Sequence, residues 1–239
     1  MITSTATLTA RHDPITARID AALADARRQA RLDDPAAQKM LDAAATLMAR
    51  GERRLDPRRV ARQADLAPVV ARRAFKDRVA LLRVYRQRSL VAYLEVMKAA
   101  VGAADGADLV TQMIRTFGRI FAGPRGISAG RGSLASWVEA CEEPDLRAEY
   151  MKAHEVWMTI VEEIVAAEIG EGRAPFTPPN VAAILSACVD GVMVSSALQP
   201  ERSDAERAIT TALGLWELVK THCSGVSIPV DEAEHSDLQ

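Results

Sequence analysis

Aromatic side chains are scarce in this chain, at 4% of its 239 residues. Sheet cores draw heavily on aromatic and β-branched residues, so a β-sandwich or barrel is not the expected architecture. Sustained alternation of apolar and polar residues, the mark of a half-buried strand, is also missing. The three cysteines, Cys141, Cys188 and Cys223, are far apart and show no CxxC spacing. That pattern excludes a disulfide framework and a zinc ribbon. Catalytic signatures find no support either. Gly126-Ile127-Ser128-Ala129-Gly130 spells GxSxG but does not follow a strand, as a nucleophile elbow must, and His154-Glu155 opens a HExxH pattern only to place Met158 where the second histidine belongs. No enzymatic activity, metal or cofactor is therefore expected. The opening "MITSTATLTARHD" has no apolar core of signal-peptide length. The most apolar segment, "VAAILSACVDGVMVSSAL", is interrupted by Asp190 and is short for a bilayer span. The expectation is a soluble, cytoplasmic protein with no membrane partner.

What is present is a helical pattern rich in small residues. Apolar residues make up 49% of the chain, and alanine recurs throughout. Ile15, Ile19, Leu23 and Ala26 follow helical spacing in a first amphipathic segment, 14–31, after a polar stretch expected to be mobile. Its arginines, Arg18, Arg27, Arg28 and Arg31, are expected to widen a nucleic-acid footprint. "DDP" at 33–35 and "DP" at 56–57 each offer an acidic cap followed by a proline suited to a first helical turn. A long helix should start at Asp77 and reach about residue 100. Further helices are expected near 107–121, 133–141, 144–169, 178–199 and 203–223. The glycine-rich "GPRGISAGRG" reads as a flexible loop or lid. The near-neutral total charge of −2 hides an asymmetry. From Ala36 to Arg88 there are 14 Lys/Arg against 5 Asp/Glu, whereas from Ser89 onward there are 11 against 22. A basic module on an acidic body points to a polyanion partner for one part only.

That basic module contains "VARQADLAPVVARRAFKDRVALL", from Val60 to Leu82. It reads as a short helix, a tight break and a second short helix. Val60, Ala61, Ala64, Leu66, Ala71 and Phe75 can form the core shared by the two, leaving Val69, Val70, Arg72 and Arg73 facing outward. Arginine pairs with guanine or clamps phosphate, and valine contacts a thymine methyl. Arg58, Arg59, Lys76 and Arg78 flank this surface as candidate phosphate contacts. Val69, Val70, Arg72 and Arg73 are the candidate base readers.

The run "LDAAATLMARGERRLDPRRVARQADLAPVVARRAFKDRVALL" resembles the N-terminal domain of TetR-type (tetracycline-repressor-like) transcriptional regulators. Leu41-Asp42-Ala43-Ala44 and Ala49-Arg50-Gly51 match the family's first helix. Val60-Ala61, Ala64, Phe75 and Ala80-Leu81 match the helix-turn-helix at the right offsets. The chain differs where the family has a turn glycine (Asp65), a capping serine (Ala67), and a threonine and tyrosine on the reading helix (Val70 and Arg72). The resemblance implies an all-α fold: an N-terminal three-helix DNA-binding domain with a helix-turn-helix, plus a larger C-terminal helical ligand-binding and dimerisation domain. On this reading the divisions are an N-terminal extension over 1–34, the DNA-binding domain over 35–82, the body over 83–224 and an acidic disordered tail over 225–239.

The resemblance implies three partners: double-stranded DNA with a palindromic operator, a second copy in a homodimer, and an unknown small-molecule effector. For the dimer, the last two helices offer Ala183, Ser186, Ala187, Gly191 and Val194, with Ile209, Ala212, Leu213 and Trp216. For the effector, aromatic and soft side chains gather between 113 and 158: Met113, Phe117, Phe121, Trp137, Cys141, Trp157 and Met158, with Glu139 and His154 as polar candidates. The implied function is a repressor released by ligand. A second reading is a dimeric ligand- or protein-binding module whose helix-turn-helix does not read DNA.

Overall fold

The computed structural model describes residues 5–52, 55–103, 108–122, 124–198 and 205–224. These form ten helices and, among the described residues, no strand ladder. They are α1 (Thr5–Gln29), α2 (Pro35–Ala49), α3 (Pro57–Gln63), α4 (Pro68–Ala74), α5 (Arg78–Gly102), α6 (Leu109–Ala122), α7 (Pro124–Glu142), α8 (Pro144–Ile169), α9 (Pro178–Leu198) and α10 (Ala205–Cys223). The expected tail at 225–239 lies outside the described residues.

Aspartates set the helix starts in the N-terminal half. The Asp34 carboxylate accepts the Ala36 and Ala37 amides, Asp56 accepts that of Arg58, and Asp77 accepts that of Ala80. Each satisfies amides that the first helical turn leaves without partners. The Ala37 amide, with Ala36 and the Arg31 guanidinium, holds the Asp34 carboxyl below its ordinary value despite burial.

Two apolar cores result. Met40, Leu41, Leu47, Met48, Val60, Phe75, Leu81 and Leu82 fill the first, which packs α2 to α4 on the start of α5. Ala140 and Leu146, from α7 and α8, also enter it, so the head is seated on the body. Leu94, Met97, Phe117, Ile160, Val161 and Trp216 lie in the second, larger core. Helix α5 belongs to both: its first turns close the head, and Leu90 to Val101 run through the body.

Helix α1 starts earlier than the sequence suggested, at Thr5 rather than Pro14, and continues through that proline. Ile15, Ile19, Leu23, Ala26 and Ala30 are buried in the body core, where α1 lies along α5 and touches α8. Residues 124–132 of the "GPRGISAGRG" segment are not a loop: they form the first half of α7. Gly130 and Gly132 permit close helix packing. A Cβ on Gly130 would come within 3.0 Å of the Met193 side chain, and one on Gly132 within 2.8 Å of the Tyr85 hydroxyl. Local sequence reads such glycines as breaks, but tertiary contact overrides their helix propensity.

A similar approach joins α6 to α10. A Cβ on Gly118 would sit 2.3 Å from Cγ1 of Ile209. Gly118→Ala is therefore expected to destabilise the body by about 1–3 kcal/mol, the usual cost of overpacking. Urea titration should show the loss, and Ile209→Val in the same chain should return part of it. A single substitution that melts like the parent would mean that Ile209 simply turns away.

Candidate DNA-reading surface and effector cavities

Helices α3 and α4 form the helix-turn-helix. The chain turns through Ala64 and Asp65, whose φ of 52° is the left-handed conformation that aspartate tolerates better than most residues. The Leu66 amide donates to the Ala61 carbonyl at 2.9 Å and closes the turn. Ala67 gives α4 no side-chain cap, and Pro68 in the first turn takes over the start. Ala71, Ala74 and Phe75 anchor α4 from beneath. Val69, Arg72 and Arg73 project outward, with Val70 half-buried beside them. Among the described residues neither Arg72 nor Arg73 forms an ion pair. Arg58, Arg59 and Lys76 are exposed around this face, Arg59 pairing with Glu52.

Arg78 is placed differently from the sequence expectation. Its guanidinium turns away from the reading face and pairs with Glu139 and, at 2.7 Å, with Glu143. It bridges the head to α7. Glu139, expected in an effector pocket, is one half of that bridge. The arginines of α1 are likewise engaged within the chain. Arg18 pairs with Glu163, Arg27 with Glu95 and Arg28 with Asp25. Arg31 donates to Asp34 and to the Ala74 carbonyl at the end of α4, and its guanidinium carbon lies 5.5 Å from the centre of the Phe75 ring. Through Arg31 the extension braces the end of α4. The triple substitution Arg18→Gln/Arg27→Gln/Arg28→Gln is expected to leave the salt dependence of DNA affinity unchanged. A log–log slope shallower by about one per arginine removed would return these side chains to the DNA surface.

The candidate effector residues divide between two cavities. Met113 and Phe117 line an apolar chamber of about 450 Å³ between α6, α9 and α10, together with Leu185, Val192, Ile209 and Leu215. Trp137, His154 and Trp157 line a second, smaller pocket of about 40 Å³ with Arg86, Tyr93, Tyr150 and Asp190. Val189 belongs to both walls. Met158 packs against the core and lines neither, Cys141 is exposed, and the Phe121 side chain lies outside the described residues.

The small pocket is an aromatic box with charged groups at its rim. Tyr93 and Trp157 are 6.0 Å apart between ring centres, and Trp137 meets Tyr150 edge-on at 6.3 Å. The Arg86 guanidinium carbon lies 4.1 Å from the centre of the Tyr150 ring. Burial raises the Tyr150 hydroxyl to about 12 and raises that of Tyr93, so both stay protonated. Burial also raises the Asp190 carboxyl, opposed by the charges of His154 and Arg86. Sequence reading missed Arg86 and Asp190. Asp190 had a signal, as the one charge in an otherwise apolar helix, whereas Arg86 was hidden among the basic residues of the head.

The two last helices present a partly uncovered apolar face. Ala183, Ala187 and Gly191 are exposed and Val194 is half-buried. Ile184, Leu198 at 65% exposure and Leu218 at 54% extend this surface. Residues Pro178–Ser195 are apolar and long enough to cross a membrane by composition alone, and 28% of that stretch is buried. Ile209, Ala212 and Leu213 pack half-buried against the body core. Ser186 and Trp216, expected at an interface, face inward instead. Ser186 accepts the Trp157 indole N–H at 3.3 Å, and fully buried Trp216 donates to Asp108 at 2.9 Å. Helical spacing marks a stripe as apolar without saying which side it faces.

Comparison with known proteins agrees with this architecture. Residues 122–215 match the C-terminal domain of BetI-type transcriptional repressors. Among solved structures, a TetR-family regulator from Rhodococcus sp. is 21% identical with a TM-score of 0.63, over 77% of this chain and 98% of that one. A TetR-family member from Streptomyces coelicolor A3 is 22% identical with a TM-score of 0.60, over 76% of this chain and 98% of that one. The multidrug binding protein EbrR in complex with imidazole is 24% identical with a TM-score of 0.55, over 76% of this chain and 96% of that one. No curated protein matches the sequence. The chain thus shares the fold of TetR-family regulators, and its residues 122–215 match the C-terminal domain of BetI-type repressors.

Proposed function

We propose that this protein is a homodimeric repressor that binds a palindromic operator and is released by a small molecule held in its body. The observation that carries the reading is the reading helix itself. Arg72 and Arg73 project from α4 without an ion pair among the described residues, while other cations nearby, Arg59 and Arg78, are engaged by acids. A basic face that merely solvates the head would not need two arginines kept clear of carboxylates on its rigid, outward-facing helix. The uncovered face of α9 and α10 supports a second copy of the chain there. That copy would set two reading helices into successive major grooves, about 34–36 Å apart. For the effector, the two cavities supply volume, and EbrR, of the same fold, has been solved with imidazole, ethidium and proflavin.

Selection from a random duplex library tests the reading. The expected outcome is one enriched, near-palindromic motif, bound by a dimer in sedimentation. A folded dimer that enriches no motif would leave instead a ligand- or protein-binding module with a silent helix-turn-helix.

A further inference from the structure

Arg86, which lines the aromatic box and the adjoining pocket beside Glu139 and Glu149, carries a buried donor without an acceptor. Nε of Arg86 is shielded from solvent and has no hydrogen-bond partner among the described residues. Buried polar groups are nearly always paired, so an orphaned guanidinium N–H calls for an explanation. Asp190 faces the same pocket from α9, yet no ion pair joins it to Arg86 among the described residues. Burial raises the Asp190 carboxyl above its ordinary value, opposed by the nearby charges of His154 and Arg86. The tyrosine hydroxyls beside it remain donors.

This polar end adjoins an apolar one. Val189 separates the box from the large chamber, and Phe117 of the chamber packs edge-on against Trp157 of the box at 5.2 Å. The chamber offers about 450 Å³ lined mainly by apolar side chains, with Arg207, Thr211 and Ser195 as its polar members, which suits a largely hydrocarbon body. A planar, permanently charged guanidinium pairs bidentately with a carboxylate or a phosphate, and a box of about 40 Å³ favours the smaller carboxylate.

We propose that the effector is a carboxylic acid with an apolar body, its carboxylate accepting from Arg86 in the aromatic box and its body lying past Val189 in the α6–α9–α10 chamber. The inference rests on the body being an effector-binding domain and names the chemistry of that site. Arg86 stands on α5, the helix that also closes the head. Occupying it gives a ligand direct purchase on the element that carries the DNA-binding domain.

Three probes with one ten-carbon chain test this on the DNA-free protein: decanoate, decanol and decyltrimethylammonium, each below its micelle concentration. Binding is read from indole fluorescence, since Trp137 and Trp157 line the box. Decanoate is expected to bind the wild-type chain at least about tenfold more tightly than either of the others. Arg86→Gln is expected to remove roughly 10- to 100-fold of decanoate affinity, the usual worth of a hydrogen bond to a charged group, and to leave decanol binding where it was. Equal affinity for all three probes, preference for the cation, no binding of decanoate, or an Arg86→Gln chain that binds decanoate normally would each overturn the proposal. The head-group preference of the wild-type chain decides the matter even if the variant folds poorly. Operator selection is a separate readout, so failure to read DNA would not be confused with failure to bind the acid.

Discussion

Replacing Arg72 and Arg73 together with alanine is expected to abolish selective DNA binding while leaving the fold intact. Each well-placed arginine contact to a base edge contributes about 1–3 kcal/mol of discrimination. Losing two should cost about 2–6 kcal/mol, on the order of a hundredfold or more in affinity for the selected operator. The protein itself should not notice. Both side chains are exposed, and alanine is the better helix former. Thermal unfolding should shift by less than about 0.5 kcal/mol equivalent, as for surface substitutions in general. Lys76→Ala provides the contrast. An exposed cation at the edge of the reading face is expected to weaken all duplexes evenly and reduce the salt slope by about one. Titration of selected and scrambled duplexes separates the two effects. If the double variant still prefers the selected duplex, α4 does not read bases.

The elements of the head were legible in the sequence because their causes are local. Asp34, Asp56 and Asp77 each cap the helix that follows, and Asp65 carries the left-handed turn between α3 and α4. What escaped the sequence depends on residues far apart. Gly130 and Gly132 look like loop residues until Met193 and Tyr85 are brought against them. Arg78 looks like a phosphate ligand until Glu139 and Glu143, more than sixty residues on, arrive beside it. The charge asymmetry was read correctly as a basic module on an acidic body, but part of that basic excess serves the junction between the two. Arg78 of α5 meets Glu139 of α7 and Glu143 just beyond it, and Arg83 meets Glu149 of α8. In the body, spacing marked α9 and α10 as helices with apolar stripes. Only packing shows that Trp216 faces inward while Leu218, two residues on, faces out.

The Arg78 bridge yields the second large expected effect. Arg78 is the first residue of α5, where the positive end of the helix dipole disfavours a cation. Its position is offset by two carboxylates from α7 and the residue just beyond it. The side chains of Arg78 and Glu139 are 21% and 6% exposed, so the pair lies largely out of water. Arg78→Met keeps most of the side-chain volume but leaves the Glu139 carboxylate buried without this cation. Removing one partner of a buried pair costs about 3–5 kcal/mol, and urea unfolding is expected to show a loss of that order. Replacing both residues, as Arg78→Met/Glu139→Leu, should return most of it, because neither charge is then buried. The same pair of variants separates stability from signalling. The bridge is a polar tie between the head and α7, so the rescued double variant is expected to bind operator but respond less to effector. Coupling between sites is typically about 1–3 kcal/mol, and the bridge should account for a measurable part of it. A single variant that unfolds like the parent would show that Glu139 is held well enough by its other surroundings. A stable double variant with full effector response would place the coupling in the apolar contacts of Ala140 and Leu146 with the head instead.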